Sequence, residues 1–270
     1  MLTISSKPFA RNFNKSVKRV NERLRKYLSD PNEDNIHDIR TSIRRLDAAH
    51  GLLPKKIRKS PETRNYITQS KELFKINTEI RDYDIIYGKL TKYSSHPAYK
   101  GLTRSLTKRR NAKLEIGHKM ALALRNSRSP QISVNDVSEL KLQIRFNKSV
   151  NKLRDRIEQA LPVVLIDSKK IEELHGLRKD YKKLRYLLEL LSRRGKKIAK
   201  QINYLQSLQD ILGSIRDTDI VIDYLRNVRS SIGVDDILTG MIAERNQKYE
   251  EFVQFFEENT PEADKISLLN

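Results

Sequence analysis

Cysteine and tryptophan are absent from this 270-residue chain, and glycine and proline are scarce, with 9 and 8 residues. Without cysteine the chain has no disulfide, no thiolate nucleophile and no cysteine-ligated zinc site. Few glycines and prolines, combined with abundant leucine, isoleucine, lysine, arginine and glutamate, favour helices over a β-sandwich or a barrel. The composition therefore predicts an all-α protein.

The sequence also lacks a long apolar run. The longest, ALPVVLI at 160–166, is far shorter than the roughly 20 residues that cross a bilayer. The N-terminal residues contain no apolar core of the kind found in secretory signals. We therefore expect a soluble, cytoplasmic protein with no membrane insertion.

Acidic residues are too few to balance the basic ones, and the formal net charge is +20. Residues 1–200 carry 48 Lys and Arg against 21 Asp and Glu, whereas residues 201–270 carry 6 against 13. Such an excess points to a polyanionic partner: nucleic acid, an anionic membrane surface or inorganic phosphate chains. A basic surface that only keeps the protein in solution is the alternative.

The chain contains an internal repeat, because three short matches occur in the same order at nearly constant offsets. They are FNKSV at 13–17 and 146–150, a histidine motif at His37 and His175, and EIRDYDII at 79–86 with SIRDTDIV at 214–221. The matches indicate a tandem duplication. Its boundary is expected in the polar stretch NSRSPQISVND, which gives a first half over residues 1–131 and a second half over 132–270.

Each half is predicted to form an antiparallel four-helix bundle. The predicted helices are 5–29, 32–52, 62–90 and 97–126, followed by 136–160, 168–193, 197–229 and 235–259. Whether the third helix of each half breaks at its IRDxD motif is left open. Pro162 is expected just beyond a helix end, where proline is tolerated.

The second histidine motif, LHGLRKDYKKLRYL at 174–187, separates apolar and basic residues onto opposite faces of a helix. Its leucines and Tyr181 share one face, and no acidic residue falls inside the basic arc on the other side. The basic arc consists of His175, Arg178, Lys179, Lys182, Lys183 and Arg185. Solvated helix faces usually mix charges of both signs, since opposite charges one turn apart are favourable.

The first copy, IHDIRTSIRRL at 36–46, repeats this arrangement. Its basic arc consists of His37, Arg40, Arg44 and Arg45. A phosphate-bearing anion would supply the missing negative charge, and guanidinium groups suit bidentate contact with it. Exposed lysines and structurally satisfied histidines are the alternative interpretation of both copies.

These motifs resemble the CHAD family, the conserved histidine α-helical domain. The close likeness lies in LHGLRKDYKKLRYLLELL followed by LQDILGSIRDTDI, and IHDIRTSIRRL with EIRDYDI is the weaker half. The resemblance covers nearly the whole chain. It implies two four-helix bundles related by pseudo-two-fold symmetry, whose basic helices line a central groove or pore that binds inorganic polyphosphate. It also implies polyphosphate-metabolising enzymes as partners and an association with polyphosphate granules.

The resemblance implies that nine residues of the two arcs bind polyphosphate: His37, Arg40, Arg44, Arg45, His175, Arg178, Lys182, Lys183 and Arg185. To them we add Lys179 and the lysines of the repeated FNKSV, Lys15 and Lys148. Asp47 occupies the place equivalent to Arg185, so the second copy is expected to contribute more to binding than the first.

The aspartates of the IRDxD motifs raise the question of a metal site, because paired carboxylates suit Mg²⁺ or Ca²⁺. They are Asp82, Asp84, Asp217 and Asp219. Two carboxylates without further oxygen ligands bind such ions weakly, so we prefer an internal Arg/Asp cluster and predict no metal and no cofactor.

The function predicted from the sequence is non-catalytic binding of inorganic polyphosphate. No glycine-rich phosphate loop and no positioned carboxylate accompanies the histidines, which argues against an enzyme. The alternative is a basic helical protein that binds nucleic acid nonspecifically. Against that alternative, the basic arcs offer little aromatic surface for base stacking.

Overall fold

The chain folds into helices, and the all-α class predicted from the composition is confirmed. The structure is a computed structural model that describes residues 2–191, 195–228 and 233–259. Within these ranges there are nine α-helices and no β-strand. They are α1 Ser6–Ser29, α2 Glu33–Gly51, α3 Lys55–Arg58, α4 Pro61–Leu90, α5 Tyr99–Asn126, α6 Glu139–Ile166, α7 Ile171–Leu188, α8 Lys196–Val228 and α9 Asp235–Asn259. None of these helices combines the length and the apolar character needed to cross a bilayer.

Eight of these helices correspond to the eight predicted ones, and the additional helix is the short α3. Helices α4 and α8 run without a break through the two IRDxD motifs. Helix α7 ends at Leu188, earlier than predicted. The predicted helix ends at 193 and 229 lie outside the described residues.

The expectation that Pro162 lies beyond a helix end is wrong, since this residue is inside α6. An interior proline costs a helix about 3 kcal/mol. Around it, the apolar face continues through Leu161 and Val164, both buried. In addition, the Tyr249 hydroxyl donates a 2.9 Å hydrogen bond to the Val164 carbonyl. Burial of this last turn against α9 explains why the helix continues past the proline.

Helix α2 begins where its sequence supplies a cap. The side-chain oxygen of Asn32 accepts a 2.9 Å hydrogen bond from the Asn35 backbone N–H, which satisfies one of the free donors at a helix start. Glu33 and Asp34 in the first turn complement the helix dipole. The cap fixes the position of the histidine motif one turn into the helix.

The described residues divide into two compact units. Unit 1 comprises the described residues within Met1–Gly88, Lys100–Phe146 and Leu190–Arg193. Unit 2 comprises the described residues within Lys89–Tyr99, Asn147–Glu189 and Arg194–Asn270. In unit 1, α1 packs against α2, and in unit 2, α8 packs against both α7 and α9. The sequence-based boundary between 131 and 132, and the pairing of helices into two four-helix bundles, stay predictions.

The repeated FNKSV motif buries equivalent residues in its two copies. Phe13 and Val17 of the first copy are buried, and so are Phe146 and Val150 of the second. The two lysines of the motif are exposed. The repeat is therefore kept by packing at its apolar positions, while its lysines are available to solvent.

Candidate functional site

Helix α7 carries six of the predicted binding residues, and its apolar face is buried as the sequence predicts. Leu174, Leu177, Tyr181, Leu184 and Leu188 are all at most 2% exposed. Two glutamates in the first turn and Arg185 in the last turn match the helix dipole. The helix is thus held firmly along the face opposite its basic arc.

Burial divides the basic arc of α7 into two groups. His175, Lys182 and Arg185 are buried, at 8%, 9% and 7% exposed. Arg178 is half-buried, and Lys179 and Lys183 are exposed. Half of the arc is therefore enclosed by the protein, and two of its five lysines and arginines are exposed.

His175 is the centre of a buried hydrogen-bond network. Its Nε2 donates to Oδ2 of Asp219 at 2.9 Å. The other carboxylate oxygen of Asp219 accepts from Nε of Arg245 at 3.2 Å, and Arg245 also donates to the Ser168 carbonyl at 2.5 Å. Arg216 Nη1 lies 3.5 Å from His175 Nδ1, which suits a proton on Nε2. The network joins α7 to the IRDxD motif of α8 and to α9.

Arg185 is also paired inside unit 2. Its Nη1 donates to the Gln206 side chain at 2.5 Å and to the Glu189 carboxylate at 3.2 Å. Its guanidinium lies 4.7 Å from the ring centroid of Tyr186, a favourable cation–π distance. The carboxylates of Asp219 and Glu189 thus supply counter-charge to two residues that lack it on the basic arc itself.

In the copy on α2, His37 is exposed. Its Nε2 lies 3.4 Å from the Thr41 hydroxyl, one turn further along the same helix. Burial of part of the ring, followed by the charges of Arg40 and Arg81, lowers the pKa of His37 below its ordinary value. The sequence predicts such a shift for a histidine among cations.

Two arginines of α2 lie against an aromatic ring. The guanidiniums of Arg40 and Arg44 lie 5.6 and 5.0 Å from the ring centroid of Phe74. Arg40 is buried at 9% exposed, whereas Arg44 and Arg45 are half-buried. Asp47, the residue that departs from the second copy, forms a 2.9 Å ion pair with Lys71.

Asp84 stands in unit 1 where Asp219 stands in unit 2. Its Oδ1 accepts from Nε of Arg110 on α5 at 2.5 Å, as Asp219 accepts from Arg245. Its Oδ2 is buried and has no hydrogen-bond partner among the described residues. Burial raises the pKa of the Asp84 carboxyl, and Arg110 opposes that rise. The histidine contact of unit 2 has no counterpart at Asp84.

Sequence reasoning missed Arg110 and Arg245, the partners of the two buried aspartates. A fourth repeat match contained the signal. The segment RNAK begins at Arg110 and RNQK begins at Arg245, at the same spacing of 135 that separates the IRDxD motifs. Arg110 belongs to the cluster KRRNAK, which its composition alone makes resemble a solvated basic patch.

The remaining predicted lysines, Lys15 on α1 and Lys148 on α6, are exposed. Together with Lys179 and Lys183 they form no hydrogen bond or ion pair with the residues that the structure describes. These four cations are open to a dissolved anion.

The IRDxD aspartates do not assemble a metal-ligand set. Across residues 2–191, 195–228 and 233–259, no three histidine or carboxylate side chains are grouped as a metal ion would need. Asp84 and Asp219 are each engaged by an arginine instead. The arginines that pair with them belong to other helices, Arg110 of α5 and Arg245 of α9, whereas the motif's own Arg81 pairs with Glu33.

Comparison with known proteins agrees with the fold and the motifs. The crystal structure of the CHAD domain from the plant Ricinus communis matches with a TM-score of 0.66 at 13% identity, over 100% of this chain and 93% of that chain. PptA from Streptomyces chartreusis matches with a TM-score of 0.64 at 13% identity, over 94% of this chain and 100% of that chain. At this identity the likeness concerns the fold. No curated protein matches the sequence. Because the family model described as "CHAD domain" matches residues 11–226, the chain belongs to the CHAD domain family.

Proposed function

We propose that this protein binds inorganic polyphosphate without chemical turnover, through the basic arcs of α2 and α7 together with Lys15 and Lys148. The CHAD family is associated with polyphosphate. A linear, densely charged anion suits a surface where cations recur along helices and where no base has to be recognised. The net charge of +20 favours the same class of ligand.

One observation carries the proposal. Lys179 and Lys183 lie one turn apart on α7, about 6 Å along the helix axis, exposed and without an ion pair among the described residues. They stand on a helix whose buried side is fixed by the His175–Asp219 contact. A helix that is already fixed and that presents exposed cations at a regular spacing favours a repeating anion. When the anion binds, the backbone that carries the lysines does not have to be ordered, so less conformational entropy is lost.

The burial of His175 supports binding rather than phosphoryl transfer in unit 2. A phosphoryl acceptor has to reach the substrate with a free ring nitrogen. The Nε2 of His175 is hydrogen-bonded to Asp219, and the residue is 8% exposed. In our proposal its role is to position α7.

A charge-matched pair of variants tests the site. The binding variant is Lys148→Gln/Lys179→Gln/Lys183→Gln, and the control is Lys55→Gln/Lys56→Gln/Lys59→Gln, three exposed lysines at and just after α3. Calorimetric titration with long-chain polyphosphate should show about a tenfold or larger loss of affinity for the first and about a twofold loss for the second. The wild-type affinity should fall steeply as salt is raised.

Three outcomes contradict the proposal. Equal losses in the two variants would mean that polyphosphate contacts only a diffuse basic surface. Preference for single- or double-stranded nucleic acid over polyphosphate of equal charge would favour nucleic-acid binding. Release of phosphate from polyphosphate with Mg²⁺, abolished by His37→Ala or His175→Ala, would make the protein an enzyme.

A further inference from the structure

Unit 1 contains a half-open cavity of about 250 Å³ beside the buried Asp84. Tyr83 and Tyr87 of α4 form its aromatic wall, Arg110 of α5 lies next to the carboxylate, and Glu33 of α2 lies in the wall as well. None of the basic-arc residues of α2 or α7 lines it. The cavity is therefore separate from the polyphosphate contacts proposed above.

The wall of this cavity contains the carboxylate of Asp84, of which only one oxygen accepts a hydrogen bond from the described residues. The Asp84 side chain is 3% exposed, its Oδ1 is bonded to Arg110, and its Oδ2 has no partner among the described residues. A buried acceptor without a donor is costly. In unit 2 the equivalent oxygen accepts from a ring N–H, that of His175. An N–H donor in the same position would complete Asp84 in the same way.

A shallow groove of about 450 Å³ adjoins the cavity and shares Tyr87 and Thr107 with it. Its floor is α5, where Lys100, Arg104 and Lys108 recur every four residues and are all exposed. Arg104 and Lys108 form no ion pair with the described residues. Cations on one helix face at this spacing attract a multiply charged phosphate group.

A ligand for the cavity and groove together has to carry both an N–H donor and a chain of phosphates. A simple amine would satisfy Asp84 and be repelled by the three cations of α5. A phosphate chain alone would satisfy the cations and leave Asp84 Oδ2 unpaired. An aromatic base adds a third match, because flat rings stack on tyrosine side chains.

We propose that unit 1 binds a nucleotide, with an N–H group of the base donated to Asp84, the base against Tyr83 and Tyr87, and the phosphates along Lys100, Arg104 and Lys108. Because the Asp84 side chain is 3% exposed, the proposal requires Tyr87, which is 45% exposed, to turn outward and admit the base. Together, the cavity and groove volumes fall within the range of ~300–1,000 Å³ that is usual for small-molecule sites.

The test compares ATP with inorganic triphosphate, which lacks a base and carries more negative charge per phosphate group. Both are titrated without divalent cations into the full chain carrying Lys148→Gln/Lys179→Gln/Lys183→Gln, so that the proposed polyphosphate contacts are weakened. We expect one ATP per chain and about tenfold tighter binding of ATP than of triphosphate, because of stacking on tyrosine. Pure charge attraction predicts the opposite order.

Three further variants locate the site. Tyr87→Ser should weaken ATP binding about tenfold and leave triphosphate binding unchanged. Arg104→Gln/Lys108→Gln should weaken both ligands by about tenfold, whereas the matched control Lys55→Gln/Lys56→Gln should change either by less than about twofold. These side chains are all exposed, so the variants are expected to fold, which circular dichroism checks.

Equal affinity for ATP and triphosphate, or an ATP affinity that Tyr87→Ser does not change, would overturn the nucleotide site. This failure is distinguishable from failure of the polyphosphate proposal. The nucleotide site depends on α4 and α5, and the polyphosphate variants lie on α6 and α7.

Discussion

In unit 2 both carboxylate oxygens of Asp219 are used, one by His175 and one by Arg245. In unit 1 the equivalent Asp84 is bonded to Arg110, and its second oxygen has no partner among the described residues. The aspartate–arginine pair is thus present in both units, and the histidine contact is present in unit 2. The pair joins two helices of a unit, whereas the histidine contact also fixes the basic helix.

The arginines of the two IRDxD motifs also differ in their contacts. Arg81 forms a 2.8 Å ion pair with Glu33 of α2 in unit 1, and, besides burial, its charge helps to lower the pKa of His37. In the second copy Ile171 occupies the place of Glu33, and Nη1 of Arg216 lies 3.5 Å from Nδ1 of His175. The two motif arginines thus make different contacts where a residue outside the motif differs.

Replacing the two aspartates should show the largest difference between the units. Asp219→Ala should lower the free energy of unfolding by about 3–5 kcal/mol, because it leaves the buried Arg245 charge and the His175 donor unpaired. Asp84→Ala should cost about 1–3 kcal/mol, since Arg110 is 24% exposed and can be solvated. Urea titration measures the loss of stability. Comparing hydrogen-exchange rates in α7 and α9 with those in α2 and α5 shows which unit has lost it. Equal losses would mean that the histidine contact adds nothing to unit 2.

Substitution of one glycine in each unit tests how tightly its surroundings are packed, and the expected changes in stability are smaller than those for the aspartates. A Cβ at Gly117 would lie 2.5 Å from the Tyr27 hydroxyl, and Tyr27 is 1% exposed. Gly117→Ala should therefore lower the free energy of unfolding by about 1–2 kcal/mol. The cost of overpacking exceeds the gain of roughly 1 kcal/mol in helix propensity.

Gly240→Ala is the matched control. Its Cβ would lie 2.6 Å from the Tyr93 hydroxyl, but Tyr93 is half-buried and can turn toward solvent, so we expect a change within about 0.5 kcal/mol. Thermal or urea unfolding of both variants checks the pair. A larger loss for Gly240→Ala than for Gly117→Ala would contradict the comparison.

The smallest expected effect concerns pH and His37. Its pKa is lowered from 6.5 in the folded protein, by burial first and by Arg40 and Arg81 next. Between its folded pKa and 6.5 the unfolded chain binds more protons at this residue than the folded chain does. The free energy of unfolding should therefore decrease as pH falls through this interval, by less than about 1 kcal/mol.

Comparison of wild type with His37→Gln isolates this contribution by urea titration across the interval. Polyphosphate should act in the opposite direction, because phosphate charge favours the protonated ring. Binding should therefore strengthen at lower pH in wild type and do so less in His37→Gln. Identical pH dependence of both proteins would show that His37 is linked neither to folding nor to binding.

Most of the helices could be predicted from the sequence because their signals are local. Asn32 with Glu33 marks the start of α2, and the apolar spacing of Phe13, Val17 and Val20 marks the buried face of α1. Pro162 misleads such reasoning, because the packing that carries α6 past it comes from Tyr249, 87 residues later in the chain.

The sequence predicted which residues of α7 share a face of the helix, but only in part which of them are exposed. A helical wheel correctly separates the leucine face of α7 from its basic arc. It treats the opposite side as solvent, whereas Lys182 and Arg185 are buried. The wheel contains no information on what packs against the second side of a helix, so it cannot tell an exposed cation from an enclosed one.

The sequence by itself determined the helical class and the family, because these depend on spacings of a few residues and on short motifs. The tertiary structure alone decided which histidine is held and which is exposed. That choice depends on contacts across more than 40 residues, such as His175 with Asp219. Hydrogen bonds and burial are set by which side chains meet in space, and proximity along the chain does not specify those meetings.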